Sequence, residues 1–140
     1  MNSNYKVIKF RSNNSKEVND QISIEEPLQI ILKYKDKENW IENTISITMR
    51  TPGDDENLVT GFLFNERVIE KISHIENIEA SGEAVGQYKL QNKVIITINN
   101  SENIDIDKIK RNFLTNSSCG VCGKTSLESL EIIKKDKILK

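Results

Sequence analysis

Alternation of apolar and polar residues predicts two strands in the first half of the chain. Residues 27–34 are rich in β-forming side chains, and Ile45, Ile47 and Met49 alternate with serine and threonine. A period of two places successive side chains on opposite faces of a sheet, so the second segment indicates a half-buried strand. The charged residues 35–39 favour a turn, and we expect the two strands to pair as a hairpin.

A change of period directly after this strand predicts a helix. Pro52-Gly53 interrupts the strand pattern, and Asp54 and Asp55 are suited to a helix N-terminus. Apolar residues then recur at a spacing of four, which is typical of an amphipathic helix over about residues 55–65. The apolar pairs are Leu58 with Phe62 and Val59 with Leu63. We expect one core to contain side chains of this helix and of the preceding strand: Ile45, Ile47, Met49, Leu58 and Phe62.

The N-terminus and the middle of the chain have weaker patterns. Residues 1–21 are polar and lack clear periodicity, so we expect a mobile arm with one short strand near residues 5–10. Residues 87–90 and 94–98 predict a second hairpin with its turn at residues 91–93.

Two further helices are predicted near the end of the sequence. Asp105 or Asp107 can cap a short helix, and Thr125 with Glu128 forms a capping box that opens another helix. Taken together, the elements predict an α+β protein with a mostly antiparallel sheet and short helices. We expect a single domain over residues 22–140, preceded by the polar arm.

Composition narrows the setting in which this domain works. Hydrophobic residues make up 36% of the chain and charged residues 29%, and the formal net charge is -1. This balance gives no general attraction to nucleic acid or to an anionic membrane, so neither is an expected partner. The sequence has no secretory signal pattern and no apolar run of membrane-spanning length, so we expect a cytoplasmic location. In that compartment, neighbouring cysteines indicate catalysis, redox chemistry or metal binding rather than a structural disulfide.

The chain has two cysteines, Cys119 and Cys122, in the segment Ser-Ser-Cys-Gly-Val-Cys-Gly-Lys. The two glycines predict an open loop to which a partner has close access. The pair lies just ahead of the helix predicted to start at Thr125, where the helix dipole and Lys124 favour thiolate over thiol. A thiolate can take sulfur from a donor persulfide and hold it as its own persulfide, and the other cysteine can then release that sulfur.

Other roles for the cysteine pair remain open. A structural zinc site usually needs four ligands, and the chain adds only one histidine, His74, far away in sequence. A zinc site would therefore need a homodimer that shares two cysteine pairs. A further alternative is a fragment without catalysis that docks onto a longer relative. A thioredoxin-like redox site fits poorly, because the preceding elements are not a βαβ unit. We expect no resident metal.

Arg50 is a second candidate site residue. It lies at the end of the predicted strand, just before a helix N-terminus, where free N–H groups can bind an anion. Arg50 could add a bidentate contact to a phosphate of a cofactor. The acidic residues Asp54, Asp55 and Glu56 oppose a phosphate at that place, so we favour an ion pair between Arg50 and one of these carboxylates.

Three stretches of the chain form a specific combination: Glu-Glu-Pro-Leu-Gln-Ile at 25–30, Thr-Met-Arg-Thr-Pro-Gly-Asp-Asp-Glu at 48–56 followed by Gly-Phe-Leu-Phe at 61–64, and the cysteine segment at 117–124. Together they resemble the formate dehydrogenase accessory sulfurtransferase family (FdhD/NarQ type). The likeness extends over about residues 24–130. It covers the N-terminal half of the family's usual length, and it implies the N-terminal portion of a cytidine-deaminase-like architecture without the family's C-terminal domain.

The resemblance implies a sulfurtransferase. Members of the family accept sulfur from a cysteine desulfurase and pass it to the molybdenum cofactor in its bis-guanine-dinucleotide form, which then activates formate dehydrogenase. The cofactor is thus a substrate, and no tightly bound cofactor is expected. By matching position, Cys119 and Cys122 are the sulfur-carrying pair, with Cys119 as first acceptor. The expected partners are the desulfurase, formate dehydrogenase and a second copy of the chain.

Overall fold

The structure of the protein is a computed structural model that describes residues 1–85 and 88–99. Over these two ranges, the chain forms six strands, one α-helix and a short 3-10 turn at Ile72–His74. In chain order, the elements are β1 (Asn2–Arg11), β2 (Asn14–Ser23), β3 (Glu26–Asp36), β4 (Asn39–Arg50), α1 (Asp55–Asn65), β5 (Ile75–Val85) and β6 (Leu90–Ile98). The α+β class predicted from the sequence is confirmed. No helix in the described ranges is long and apolar enough to cross a membrane.

Among the described residues, the sheet that positions α1 has four strands, in the order β4-β3-β6-β5. The outer pairs β3–β4 and β5–β6 are antiparallel hairpins, as a mostly antiparallel sheet requires. The two hairpins meet through a parallel pairing of β3 with β6, in which Gln29 lies beside Lys93 and Lys33 beside Thr97. The sequence pattern did not predict this parallel junction. β1 and β2 form a separate two-stranded sheet.

The core lies between α1 and one face of the four-stranded sheet. Val59 and Leu63 of the helix are completely buried. They belong to one cluster with alternate residues of β3 and β6: Leu28, Ile30, Leu32, Val94, Ile96 and Ile98. Burial of each such aliphatic side chain contributes about 1.5–3 kcal/mol, so this cluster holds the helix on the sheet.

A β-bulge in β4 divides the predicted core between two faces. The pairing with β3 skips one β4 residue, Ile45, between Ser46 and Thr44. This extra residue turns into the cluster under α1. Ile47 is also buried, but it pairs with Gln29 on the opposite face of the sheet. The period-two pattern placed both isoleucines on one face because it could not detect the bulge.

The prediction of a single shared core is therefore wrong in part. Met49 and Phe62 are half-buried, and Phe62 packs against the cluster. Leu58 is 37% exposed, because it lies to the side of the helix face formed by Val59 and Leu63.

The second predicted hairpin is also wrong in its position. β6 runs without interruption through residues 91–93, which the sequence assigned to a turn, and its partner is the long strand β5. Asn92 is buried within β6 rather than exposed in a loop. The polar residues 91–93 have the composition of a turn, which explains the wrong prediction. In the structure, Asn92 accepts a hydrogen bond from Arg50 in the interior, and the local sequence does not reveal this partner.

The polar N-terminal segment contains a regular two-stranded hairpin, whereas the sequence predicted one short strand there. The predicted mobility of residues 1–21 and the domain boundary at residue 22 stay predictions. β1 and β2 pair over ten positions, from Asn2 opposite Ser23 to Arg11 opposite Asn14. Cross-strand ion pairs join Lys6 to Glu17 and Lys9 to Asp20, at 3.1 and 2.9 Å. The alternation was not recognisable because apolar residues occur on both faces of the hairpin. The helices predicted near residue 105 and after Thr125 lie outside the described ranges.

Candidate functional site

The predicted sulfur carriers Cys119 and Cys122 lie outside the residues that the structure describes, so their roles stay predictions. Arg50 is the predicted site residue that the structure places. It is the last residue of β4, and its side chain is 2% exposed.

A tight turn returns the chain to Arg50 directly after β4 ends. Pro52 is buried, and Gly53 has a φ of 140°, a backbone conformation that L side chains rarely adopt. α1 then begins at Asp55, five residues after Arg50. The Pro-Gly pair thus brings the first helical carboxylate against the end of the strand that precedes it.

Arg50 and Asp55 form a bidentate ion pair. The Nε atom of Arg50 donates to Oδ1 of Asp55 at 2.7 Å, and its Nη2 donates to Oδ2 at 3.0 Å. The planar guanidinium fits a carboxylate in this two-point geometry, which fixes both side chains. The Asp55 side chain keeps 28% exposure, so the buried partner of the pair is the cation.

Two further acceptors complete the surroundings of Arg50. Its Nη2 also donates to Oδ1 of Asn92 at 3.2 Å, and its Nη1 lies 3.4 Å from the carbonyl oxygen of Glu26. We call Arg50, Asp55, Asn92 and the Glu26 carbonyl the Arg50 cluster. It joins the end of β4 to the beginnings of β3, β6 and α1, so a single cation connects four elements at one end of the sheet.

The hydrogen bonds of the Arg50 cluster indicate a structural role for Arg50. Each guanidinium nitrogen has a protein acceptor, and a buried cation needs such partners to offset its lost hydration. The ion pair that the sequence favoured is therefore present, with Asp55 as the carboxylate. The alternative contact of Arg50 with a cofactor phosphate stays a prediction.

Asp54 has a different role from the one expected. It occupies the N-cap position of α1, but within the part of the chain that the structure describes its side chain makes no capping hydrogen bond. Its Oδ1 instead accepts from Nδ2 of Asn57 at 2.8 Å. Its charge still lies at the positive end of the helix dipole, as do those of Asp55 and Glu56.

Asn92 and the Glu26 carbonyl are the members of the cluster that the sequence did not indicate. A signal for Asn92 does exist: Leu90, Val94 and Ile96 share its parity along β6. Strict alternation would place Asn92 on the face they occupy, where a buried amide requires a polar partner. No local signal points to the carbonyl of Glu26.

Within residues 1–85 and 88–99, no group of three or more His, Cys, Asp or Glu side chains is arranged to hold a metal ion. His74 is half-buried and ends the 3-10 turn. The zinc alternative concerns Cys119 and Cys122, so it stays open.

The fold and the Arg50 cluster define an α+β protein whose helix is fixed to a mixed sheet by a buried arginine, and comparison with known proteins assigns its family. Residues 23–140 match the profile of the FdhD/NarQ family, and the chain belongs to that family. The resemblance inferred from the three sequence stretches is thereby confirmed.

The chain is similar to proteins named sulfur carrier protein FdhD. It is 43% identical over 116 residues to that of Picrophilus torridus, covering 82% of this chain and 38% of the relative. It is 33% identical over 129 residues to that of Sulfurisphaera tokodaii, covering 92% of this chain and 44% of the relative. The chain thus spans less than half the length of these relatives. A similar solved structure is the crystal structure of a protein from Desulfotalea psychrophila, assigned as a formate dehydrogenase accessory protein. Its sequence is 23% identical, and the superposition has a TM-score of 0.49 and covers 69% of this chain and 37% of the other chain.

Proposed function

We propose that this chain is a sulfurtransferase that carries sulfur from a cysteine desulfurase to the molybdenum cofactor, for the activation of formate dehydrogenase. The observation that carries the proposal is the family match over residues 23–140, because this range contains both Cys119 and Cys122. The relatives' name, sulfur carrier protein, supports the same chemistry. A thiol carrier also needs a reducing compartment, so the proposal includes a cytoplasmic location.

Loading is a thiol exchange that needs no external oxidant. The thiolate of Cys119 attacks the outer sulfur of the donor's persulfide, and the bond between the donor's two sulfur atoms breaks. The donor leaves as a thiolate, while Cys119 keeps the transferred sulfur as a persulfide. The sequence around Cys119 suits this step, because Lys124 and the helix predicted to begin at Thr125 favour the thiolate.

The second cysteine can release the sulfur. The thiolate of Cys122 attacks the inner sulfur of the Cys119 persulfide, so that a Cys119–Cys122 disulfide forms and the outer sulfur leaves as hydrosulfide. The two cysteines supply the two electrons that reduce this sulfur. Two equivalents of a small thiol then reduce the Cys119–Cys122 disulfide and leave as a disulfide themselves. In this proposal, the molybdenum cofactor is the substrate that would receive the released sulfur.

In this proposal, the Arg50 cluster has an indirect role, because it stabilises the fold around the start of α1. It fixes the start of α1 against three strands, within the Thr-Met-Arg-Thr-Pro-Gly-Asp-Asp-Glu block that identified the family. Direct binding of the cofactor's phosphates by Arg50 would require Asp55 to move away, because the carboxylate occupies the bidentate face of the guanidinium.

Intact-mass spectrometry of the reduced chain tests the proposal. Incubation with a cysteine desulfurase and free cysteine should add the mass of one sulfur atom, and cyanide or a reducing thiol should remove it. Cys119→Ala should abolish loading, whereas Cys122→Ala should load but release sulfide slowly. The reverse pattern would exchange the two roles. A folded wild-type chain that never loads would show that this chain alone is not a sulfur carrier.

Zinc analysis separates the proposal from the metal-binding alternative. The carrier should purify in reduced form with little zinc. One zinc ion per two chains, lost on Cys122→Ser, would favour the homodimeric zinc module and contradict sulfur transfer. A chain that neither loads sulfur nor binds zinc, yet co-purifies with a longer relative, would fit the docking fragment.

A further inference from the structure

The β1–β2 hairpin lies ahead of the region that defines the family. The FdhD/NarQ profile begins at residue 23, whereas the hairpin extends from Asn2 to Ser23. The family assignment therefore does not explain what the hairpin does. We call residues 8–16, which surround the turn between β1 and β2, the hairpin tip.

One face of the hairpin tip is basic. Lys9 lies opposite Lys16 in the pairing of the two strands, and Arg11 lies on the same face, two residues after Lys9. The tip has no acidic residue. Like charges directly opposite one another destabilise an antiparallel pair, so the stability of the hairpin alone does not account for this arrangement. A local conflict of this kind is typical of a functional site.

The other face of the hairpin tip is apolar. Ile8 and Phe10 alternate with Lys9 and therefore lie on the opposite face, where their side chains are 61% and 75% exposed. Glu17 lies opposite Ile8, but its carboxylate is paired with Lys6 at 3.1 Å. Neighbouring exposed apolar side chains are typical of surfaces that bind another molecule.

The difference between its two faces favours a protein groove as the binding partner of the tip. A membrane surface would contact the apolar face and leave the basic face in water. Nucleic acid would contact the basic face and leave Ile8 and Phe10 exposed. A groove with one apolar wall and one acidic wall contacts both faces at once. An aromatic side chain buried in such a groove supplies affinity, and the complementary charges supply specificity and fast association.

We propose that the hairpin tip enters a groove of this kind on the cysteine desulfurase that donates the sulfur. The inference rests on the proposed function, because exchange of a persulfide between two proteins requires them to form a complex. A carrier also has to leave its donor after loading. A contact made by one small hairpin with exposed charges suits a complex that forms quickly and then dissociates.

The ion pair on the basic face does not prevent this contact. Lys9 is paired with Asp20 at 2.9 Å, and the two side chains are 60% and 45% exposed. Exposed ion pairs contribute little to stability, so Lys9 can exchange the carboxylate of Asp20 for one of the desulfurase at little cost.

Calorimetric titration of the purified desulfurase with two variants of the full chain tests the proposal. The basic-face variant carries Arg11→Glu and Lys16→Glu; the second change places a carboxylate opposite Lys9, so the hairpin should stay folded. The apolar-face variant carries Ile8→Thr and Phe10→Thr, and threonine keeps a high preference for strand. Each variant should raise the dissociation constant by about tenfold or more. Added salt should weaken the wild-type complex more than that of the basic-face variant.

Matched controls change the same kinds of residue outside the hairpin. Lys37→Glu with Lys71→Glu reverses two exposed charges, and Phe64→Thr with Ile72→Thr removes two exposed apolar side chains. Both control variants should bind the desulfurase as the wild-type chain does, to within about twofold. Circular dichroism checks that all four variants are folded.

The proposal is overturned if the wild-type chain does not bind the desulfurase, or if both hairpin variants bind as tightly as the controls. Loss of affinity in the basic-face variant alone would also contradict it, because a general electrostatic attraction needs no groove. Tip-dependent binding to RNA or to anionic vesicles, without binding to the desulfurase, would assign the tip to another class of partner.

Loading with a small-molecule persulfide, followed by intact-mass spectrometry, separates failure of this inference from failure of the proposed function. A chain that takes up sulfur from the small persulfide but does not bind the desulfurase keeps the proposed chemistry and refutes the docking. Tip-dependent binding to the desulfurase without any loading would support the docking and refute sulfur transfer by this chain.

Discussion

The Nε atom of Arg50 lies 2.7 Å from Oδ1 of Asp55, so the last residue of β4 is joined to the first residue of α1. The two partners differ in their access to water: the Arg50 side chain is 2% exposed and that of Asp55 is 28% exposed. Loss of one partner therefore has a different consequence from loss of the other.

Asp55→Asn should destabilise the protein more than Arg50→Met. The first change leaves a buried cation without its counter-charge, which costs about 3 kcal/mol. The second leaves a carboxylate that water can reach, together with two acceptors that lose a donor, at a cost of about 1–2 kcal/mol. Urea unfolding of both variants measures the difference. Equal losses, or a larger loss for Arg50→Met, would contradict the assignment of Arg50 as the buried partner.

Gly53→Ala should destabilise the protein by about 1 kcal/mol. A Cβ added at Gly53 meets no described residue within 4 Å, so we assign the cost to the φ of 140°. The matched control is Gly61→Ala on the exposed side of α1, where an added Cβ also meets no atom of the described residues. Because alanine favours helix, this control should stabilise the protein by about 0.5–1 kcal/mol. In thermal unfolding, Gly53→Ala should lower the melting temperature and Gly61→Ala should raise it. A shift in the same direction for both variants would contradict the assigned cost of the Gly53 backbone conformation.

Gln29→Met should leave stability unchanged or raise it by up to about 1 kcal/mol. The Gln29 side chain is buried, and its Nε2 donates to Oγ1 of Thr44 at 2.7 Å, but its Oε1 has no hydrogen-bond partner among residues 1–85 and 88–99. Rotation of the amide would only exchange the unpaired atom. Methionine keeps the volume and removes the unsatisfied group. A loss of more than about 2 kcal/mol in urea unfolding would mean that the amide has a partner.

The pKa of Asp20 should rise toward its ordinary value in Lys9→Met. In the hairpin, the hydrogen bond from Lys9, followed by the one from the backbone N–H of Gln21, holds the pKa of this exposed carboxyl below that value. A lowered folded-state pKa stabilises the hairpin above the ordinary pKa of aspartate, and this contribution is lost as the pH falls through the lowered value. NMR titration of the carboxyl measures the change. Lys6→Met, which removes the neighbouring ion pair with Glu17, is the control and should not move it.

The helix was predictable from the sequence because its signals are local. Pro52-Gly53 ends the strand, acidic residues begin the helix, and Val59 and Leu63 recur on one face; the structure has α1 at Asp55–Asn65, as expected. The hairpin of β3 and β4 was predictable for the same reason. The ion pair of Arg50 with Asp55 was also predictable, because the two residues are only five positions apart in the sequence.

Features that depend on distant partners were not predictable. The polar neighbours of Asn92 favour a turn, and although Asn92 shares the parity of the apolar residues of β6, the partner that permits its burial is Arg50, 42 residues earlier. The bulge at Ile45 has no marker in the sequence, so the pattern gave Ile47 the wrong face. The roles of Cys119 and Cys122 stay predictions, because both residues lie outside the described ranges.

The parallel pairing of β3 with β6 has a consequence for how quickly the chain can fold. Each antiparallel hairpin closes a short loop, whereas the contact between Gln29 and Lys93 closes one that contains β4, α1 and β5. Closure of so long a loop is entropically expensive, so we expect the two hairpins to form first and their docking to limit the rate. During synthesis, the inner edge of β3 therefore stays open until β6 has left the ribosome, and chaperones would act in that interval.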